Sequence, residues 1–348
     1  MRSTQFGWIL LLGVIVSGLV ACKETPKEPA EAQEEESTSE QISSSSLRLD
    51  SFTQLLNASP SDPDLLNERA KAFLEVGELN LAIADVGRAI LLDSTVADYY
   101  LTISDVYFRL SKPDRCLNAL HKANDLQPEN PEPLYRLAQF ELYLQHHQKS
   151  INYANDMLRL DARDDRPYVI KGLCFKELKD TTRAIQNYLE AVSENPDNYD
   201  AYVELGVLHW GRKDPLAEQF FKSALDINPS GIDALYALGM FYQNADKLND
   251  ALETYTRILA IDSTFRSAHF NMGYIQYQYL QLYKEALVNF DNAVKIDPNY
   301  YQAIYMRGLC YEARGDVEKA KREYGHAIQV NPDYKKAADG LKRLLSKM

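Results

Sequence analysis

The chain repeats itself. From Pro63 onward the same residue types return about every 34 positions, in units that begin at Pro63, Ala97, Pro131, Asp165, Tyr199, Ile232, Arg266 and Tyr301. The eighth position of the units reads Ala70, Ser104, Ala138, Gly172, Gly206, Gly239, Gly273 and Gly308. The twenty-seventh reads Ala89, Ala123, Met157, Ala191, Ala224, Ile258, Ala293 and Ala327. Proline returns at the thirty-second as Pro128, Pro196, Pro229, Pro298 and Pro332. A period of this length marks a solenoid, in which each unit leans on the next because none can bury a core alone. From Pro63 onward the chain is therefore one linear array and not two globules.

Within a unit the apolar residues follow the 3.6-residue period, so each unit predicts two helices, A and B. Small residues at positions 8, 20 and 27 let helices approach, and bulky ones at 4, 11 and 24 fill the space between them. Position 24 turns aromatic late in the chain, as Tyr188, Phe221, Tyr255, Phe290 and Tyr324. Proline at position 32 cannot continue helix B and marks the turn to the next unit. The clearest copy, Asp165 to Asn198, carries Tyr168, Gly172, Phe175, Ala184, Tyr188, Ala191 and Pro196. These residues resemble the tetratricopeptide repeat (TPR). The resemblance covers residues 63–334 and implies an all-α, right-handed TPR superhelix of about eight helix-turn-helix repeats.

Residues 47–62 (LRLDSFTQLLN, then Pro60) are expected to cap the first unit with an orphan helix, and residues 335–348 to cap the last with a basic one. Three departures stand out. Unit three has Glu141 where a bulky apolar residue belongs, unit five is one residue short near Lys213-Asp214-Pro215, and unit seven is one residue long between Gln278 and Tyr283.

The N-terminus predicts a location. Arg2 precedes an apolar run from about Trp8 to Val20, which is too short to span a bilayer but fits a signal peptide. Leu19-Val20-Ala21-Cys22 resembles the lipobox of bacterial lipoproteins, which implies removal of residues 1–21 and lipidation of Cys22. Two or more acyl chains give stable anchoring. Lys23 after the cysteine favours the outer membrane by analogy with enteric sorting, with the periplasmic or surface face left open. The remainder of residues 22–46 holds seven glutamates, two prolines and almost nothing apolar, a composition expected to be a disordered tether.

Little in the sequence suggests chemistry. A net charge of −12 argues against nucleic acid, which needs clustered Lys and Arg. Cys116, Cys174 and Cys310 fall in different units, too far apart to pair, and are expected as buried thiols. His146-His147 has no completing ligands, so no metal and no cofactor is expected. No catalytic or phosphate-binding motif occurs, and the repeats leave no room for a catalytic domain, so the chain reads as a non-enzyme.

The groove remains. In the TPR family helix A lines the concave face, chiefly through positions 2, 5, 9, 12 and 13. Position 2 is acidic in five units, including Asp200 and Asp233. Position 5 reads Asn67, Leu101, Tyr135, Val169, Val203, Tyr236, Phe270 and Tyr305. Positions 9 and 12 add Phe108, Leu142, Leu173, Trp210, Met240, Tyr274, Tyr277 and Leu309. Aromatics dominate interface hot spots. Trp210, Tyr236, Phe270, Tyr274, Tyr277 and Tyr305 are thus expected to anchor a polypeptide, with Tyr135, Asp200 and Asp233 in the same surface; the alternative is that several of them only pack between units. The row that would form a carboxylate clamp (Asn67, Lys71, Thr102, Glu132, Arg136) does not match that set. The expected function is a lipid-anchored adaptor that binds protein partners in the bacterial envelope. A receptor for a glycan or cell-wall strand is the rival reading. Oligomeric state is not legible.

Overall fold

The computed structural model describes residues 47–346; the leader, Cys22 and the tether lie outside the described residues. Eighteen helices and no strand occur among the described residues. Helix α1 covers residues 47–58. Eight hairpins follow. The first four are α2 (Pro63–Glu75) with α3 (Leu79–Leu92), α4 (Ala97–Arg109) with α5 (Pro113–Leu126), α6 (Pro131–Tyr143) with α7 (His147–Leu160), and α8 (Arg166–Glu177) with α9 (Thr181–Glu194). The second four are α10 (Tyr199–Gly211) with α11 (Leu216–Ile227), α12 (Ile232–Asn244) with α13 (Leu248–Ile261), α14 (Arg266–Gln278) with α15 (Tyr283–Ile296), and α16 (Tyr301–Ala313) with α17 (Val317–Val330). Helix α18 (Lys335–Leu345) closes the array. None of these helices is long and apolar enough to cross a membrane.

The buried rows are the ones the period predicts. Positions 20 and 27 are fully buried in every unit, from Ala82 and Ala89 in the first to Ala320 and Ala327 in the last. Positions 8 and 24 face each other inside each hairpin and trade volume. Where position 24 is Val86, Leu120 or Ala154, position 8 is Ala70, Ser104 or Ala138. Where position 24 is an aromatic ring, position 8 is glycine. A Cβ on Gly172, Gly239 or Gly308 would lie 2.7, 2.7 and 2.6 Å from the rings of Tyr188, Tyr255 and Tyr324. The ring fills the volume the missing side chain vacates, which keeps the packing near interior density.

The turns repeat as faithfully. Each A–B turn puts one residue in the left-handed region: Gly77, Ser111, Gln145, Lys179, Lys213, Asp246, Gln281 and Gly315. In seven of the eight turns the next amide donates to the carbonyl five residues back, as Glu78 does to Phe73 and Asp180 to Phe175, the closing bond of a Schellman cap. At the B–A turn, Asp93, Asp161, Asn195, Asn228, Asp262, Asp297 and Asn331 accept the amide two residues on through their side chains. This Asx turn gives an amide of the connecting turn an acceptor and sets the path into the next helix A.

The three departures are absorbed locally. The residue missing from unit five is taken from α11, which has 12 residues against 14 in the other B helices. The residue gained by unit seven widens its A–B turn, where Leu282 donates to the carbonyl of Gln276, six residues back. Glu141 is 2% exposed, and its carboxylate accepts His146 Nδ1 at 2.6 Å with Lys149 Nζ 3.5 Å away. A buried carboxylate paired this way avoids the large cost of an isolated buried charge.

Successive A helices touch one another (α2–α4, α6–α8, α10–α12, α14–α16), whereas successive B helices make no comparable contact. Helices closer together on one side bend the stack toward that side, so the A helices line the concave face.

Candidate functional site

The concave face divides into buried and accessible rows. Leu101, Leu142, Leu173 and Val203 are only 6–7% exposed and belong to the core, despite their groove positions. Trp210, Tyr236, Phe270, Tyr274, Tyr277, Tyr305 and Tyr135 are half-buried, and Asp200 and Asp233 are exposed.

Three of the half-buried rings recur in one arrangement. Tyr236 packs against Tyr255 and Phe265 at 6.3 and 5.5 Å between centroids. Phe270 packs against Phe290 and Tyr300 at 5.7 and 5.1 Å. Tyr305 packs against Tyr324 and Tyr334 at 5.5 and 5.3 Å. Each position-5 ring thus rests on the buried ring of its own helix B and on an aromatic in the turn to the following helix. One portion of each ring packs between units, and another stays accessible on the A-helix side. Trp210 packs beside the same core as Tyr236, and Tyr274 and Tyr277 beside the core that Phe270 and Tyr305 cover. Tyr277 makes a ring contact with Tyr283 at 5.6 Å, across the widened turn of unit seven. Burial, reinforced by Cys310, Tyr283, Tyr305 and Glu312, pushes its hydroxyl up to about 12, so it remains a donor at neutral pH.

Tyr135 lies apart from this row, on α6. The Arg166 guanidinium stacks over its ring at 4.8 Å and reaches the carboxylates of Asp164 and Glu132. Arg136 bridges Glu132 and Asp105 in the same stretch. The early groove is therefore cross-linked by its own ion pairs. Asn67 and Lys71 both donate to Asp98 of the next helix A, at 2.7 and 2.8 Å, which occupies the residues that would begin a carboxylate clamp. Lys71 also holds Glu68; burial opposes its charge, but the two carboxylates outweigh burial and raise its pKa.

One groove aromatic escaped the sequence reading. Tyr143, at position 13 of unit three, is 68% exposed, with Phe108 5.2 Å and Phe140 6.1 Å from its ring. Its position was the available signal. The outer face carries an open cleft of about 550 Å³ between α11 and α13, lined among others by Lys222, Asp226, Asp250, Glu253 and Arg257. Both signs of charge mix there, and none of the groove aromatics reaches it.

Cys116, Cys174 and Cys310 are buried free thiols, and burial pushes them up to about 12, 11 and 12. His147 Nε2 is 2.6 Å from Glu177, so both members of the histidine pair are engaged with carboxylates. Among the described residues no cluster of three or more metal-ligating side chains occurs.

Comparison with known proteins agrees with this geometry. Tetratricopeptide repeat family models match residues 175–232, 232–265 and 281–345. A DnaJ homolog subfamily C member 7 homolog of Dictyostelium discoideum is 25% identical over 298 residues, covering 76% of this chain and 55% of the relative. The peroxisomal targeting signal receptor of Candida albicans is 26% identical over 239 residues, covering 65% of this chain and 40% of the receptor. The chain thus spans about half or less of the length of these relatives. Two solved structures share the fold at a TM-score of 0.50. One is the Cut9–Hcn1 hetero-tetramer of the APC/C, with 16% identity and coverage of 85% of this chain and 58% of that one. The other is Pseudomonas aeruginosa pilF, with 14% identity and coverage of 63% and 96%. Residues 175–265 and 281–345 carry tetratricopeptide repeats, and the fold that contains them is an all-helical TPR solenoid.

Proposed function

We propose that this chain is a scaffold that holds a protein partner against the concave face of units five to eight. The carrying observation is the row of half-exposed rings on successive A helices: Trp210, Tyr236, Phe270, Tyr274, Tyr277 and Tyr305. Large, stiff side chains bind at low entropic cost, and their packed bases hold the exposed portions in place before a partner arrives. The C. albicans relative is named as the receptor of a targeting signal, in keeping with recognition of a polypeptide.

In this reading the scaffold is tethered to the bacterial envelope through lipid on Cys22, most consistently at the outer membrane. The support is the run from Trp8 to Val20 that ends at Ala21-Cys22, followed by Lys23. Replacement of Cys22 with Ser is expected to abolish metabolic palmitate labelling and to release the chain from the membrane fraction. Unchanged fractionation would overturn the anchor.

Crosslinking in intact cells followed by mass spectrometry tests the scaffold role. A stoichiometric protein partner is expected, and its yield should fall when Trp210, Tyr274 and Tyr277 are replaced. These three suit the purpose better than Tyr236, Phe270 and Tyr305, whose removal would also cut into inter-unit packing. Recovery of glycan alone would favour the receptor reading.

A further inference from the structure

The repeats supply their own internal control for the buried hydroxyls at position 24. In unit six, Tyr255 Oη donates to Gln243 Oε1 at 3.2 Å and accepts from Asn271 Nδ2 at 3.3 Å. In unit eight, Tyr324 Oη donates to Glu312 Oε2 at 2.6 Å. The partners come from position 12 of the same unit and, for Tyr255, position 6 of the next. Unit four has the same tyrosine but a different surrounding. Its position 12 is Lys176, which donates Nζ to Glu204 Oε1 at 2.6 Å, and Glu204 is position 6 of unit five. Tyr188 is fully buried, and neither its hydroxyl nor the buried Glu204 Oε2 has a protein hydrogen-bond partner among the described residues.

Buried polar atoms left without a partner are costly. These two sit beside further negative charge. Asp200 lies one helical turn before Glu204 on the same face of α10, and Asp233 holds position 2 of the next unit. Asp200 is solvent-accessible, yet partial desolvation raises its pKa, and repulsion from Asp233 and Glu204 adds to it. Burial likewise raises that of Tyr188, with the Glu204 and Asp200 carboxylates contributing. Asp233 is engaged by the Tyr199 hydroxyl, and Lys176 is the cation already present. The carboxylates outnumber it.

We propose that the acceptor cluster of Asp200, Glu204 and Tyr188 draws in a lysine or arginine side chain of the polypeptide held in the groove. The complementarity is chemical. An ammonium has three donors and a guanidinium five, enough to satisfy Glu204 Oε2, the Asp200 carboxylate and a lone pair of Tyr188 Oη together. An acidic side chain would meet like charge, and an apolar one would leave all three acceptors unpaired. The proposal rests on the groove reading above and adds what the partner must carry.

An array of random synthetic 12-residue peptides, probed with the full-length chain in mild detergent, tests it. Bound peptides are expected to be enriched in Lys or Arg. Asp200→Asn with Glu204→Gln should weaken binding of those basic peptides about tenfold or more, the scale of a lost charged hydrogen bond. Asp226→Asn with Asp250→Asn makes the same change in net charge on the outer face and should leave the preference intact. Tyr188→Phe, which deletes one oxygen and keeps the ring in place, should lower the preference by a smaller factor and serves if the double variant does not fold. Equal loss in the outer-face pair, or no preference for basic peptides, would overturn the proposal. Binding that persists without that preference, yet falls with Trp210→Ala and Tyr274→Ala, would leave the groove reading standing. Peptide binding untouched by those aromatic replacements would remove the groove reading as well.

Discussion

At the scale of the residue, the solenoid depends on volume exchanged between two positions. The same substitution should therefore have opposite signs at different glycines. In Gly239→Ala the new Cβ meets the buried Tyr255 ring at 2.7 Å, and overpacking of this kind costs about 1–3 kcal/mol. Gly87→Ala, on α3, meets nothing within 4 Å and should gain about 0.5–1 kcal/mol from helix propensity. Urea unfolding curves compare the two directly. Asp200 carries a charge that its surroundings disfavour. Although the side chain is solvent-accessible, partial desolvation and neighbouring carboxylates raise its folded-state pKa above the unfolded value, so its charge disfavours folding at neutral pH. The penalty fades as the pH falls through that raised pKa and the carboxyl becomes neutral in both states. Asp200→Asn should raise the thermal midpoint at pH 7, and the advantage over the parent should vanish near pH 3. A constant difference across that range would contradict the assignment.

At the scale of the element, the chain is legible where period and physics coincide. Helix pairs, the buried rows at positions 8, 20, 24 and 27, and the proline turns all follow from spacing. The Asx residue at position 31 recurs more regularly than the proline beside it, but its meaning depends on a hydrogen bond two residues ahead that only the folded turn displays. The left-handed residue at each A–B turn is hidden because glycine occupies it only in Gly77 and Gly315. Lys179, exposed and at φ 62°, should tolerate replacement by Gly with a gain of about 0.5–1 kcal/mol, because a side chain in the left-handed region is strained. Differential scanning calorimetry of Lys179→Gly would show it. Glu141 breaks the apolar pattern because its partner, His146, comes from the turn immediately after it. Leu101 and Val203 sit at the same repeat position as Tyr236 and Tyr305, yet are buried; repeat position alone does not separate core from groove, because exposure depends on side-chain length and on the neighbouring unit.

At the scale of the whole molecule, contacts run from each helix to its neighbours in the chain and between the A helices of paired units. Stability should then be close to a sum of unit and interface contributions. The ends are covered in keeping with this: Leu56 of α1 is buried against the first unit, and α18 lays Gly340 and Leu344 against Tyr324 while Arg343 pairs with Glu312. The surface between the ends is acidic and, on its inner side, aromatic. Site-specific photocrosslinking in cells tests the central claim, that this inner side is where a partner sits. A benzophenone amino acid placed singly at Trp210, Met240, Tyr274 or Tyr277 is expected to give a discrete protein adduct, and none at Leu189, Val288 or Val317 on the B helices. Adducts confined to the B-helix positions would contradict the account.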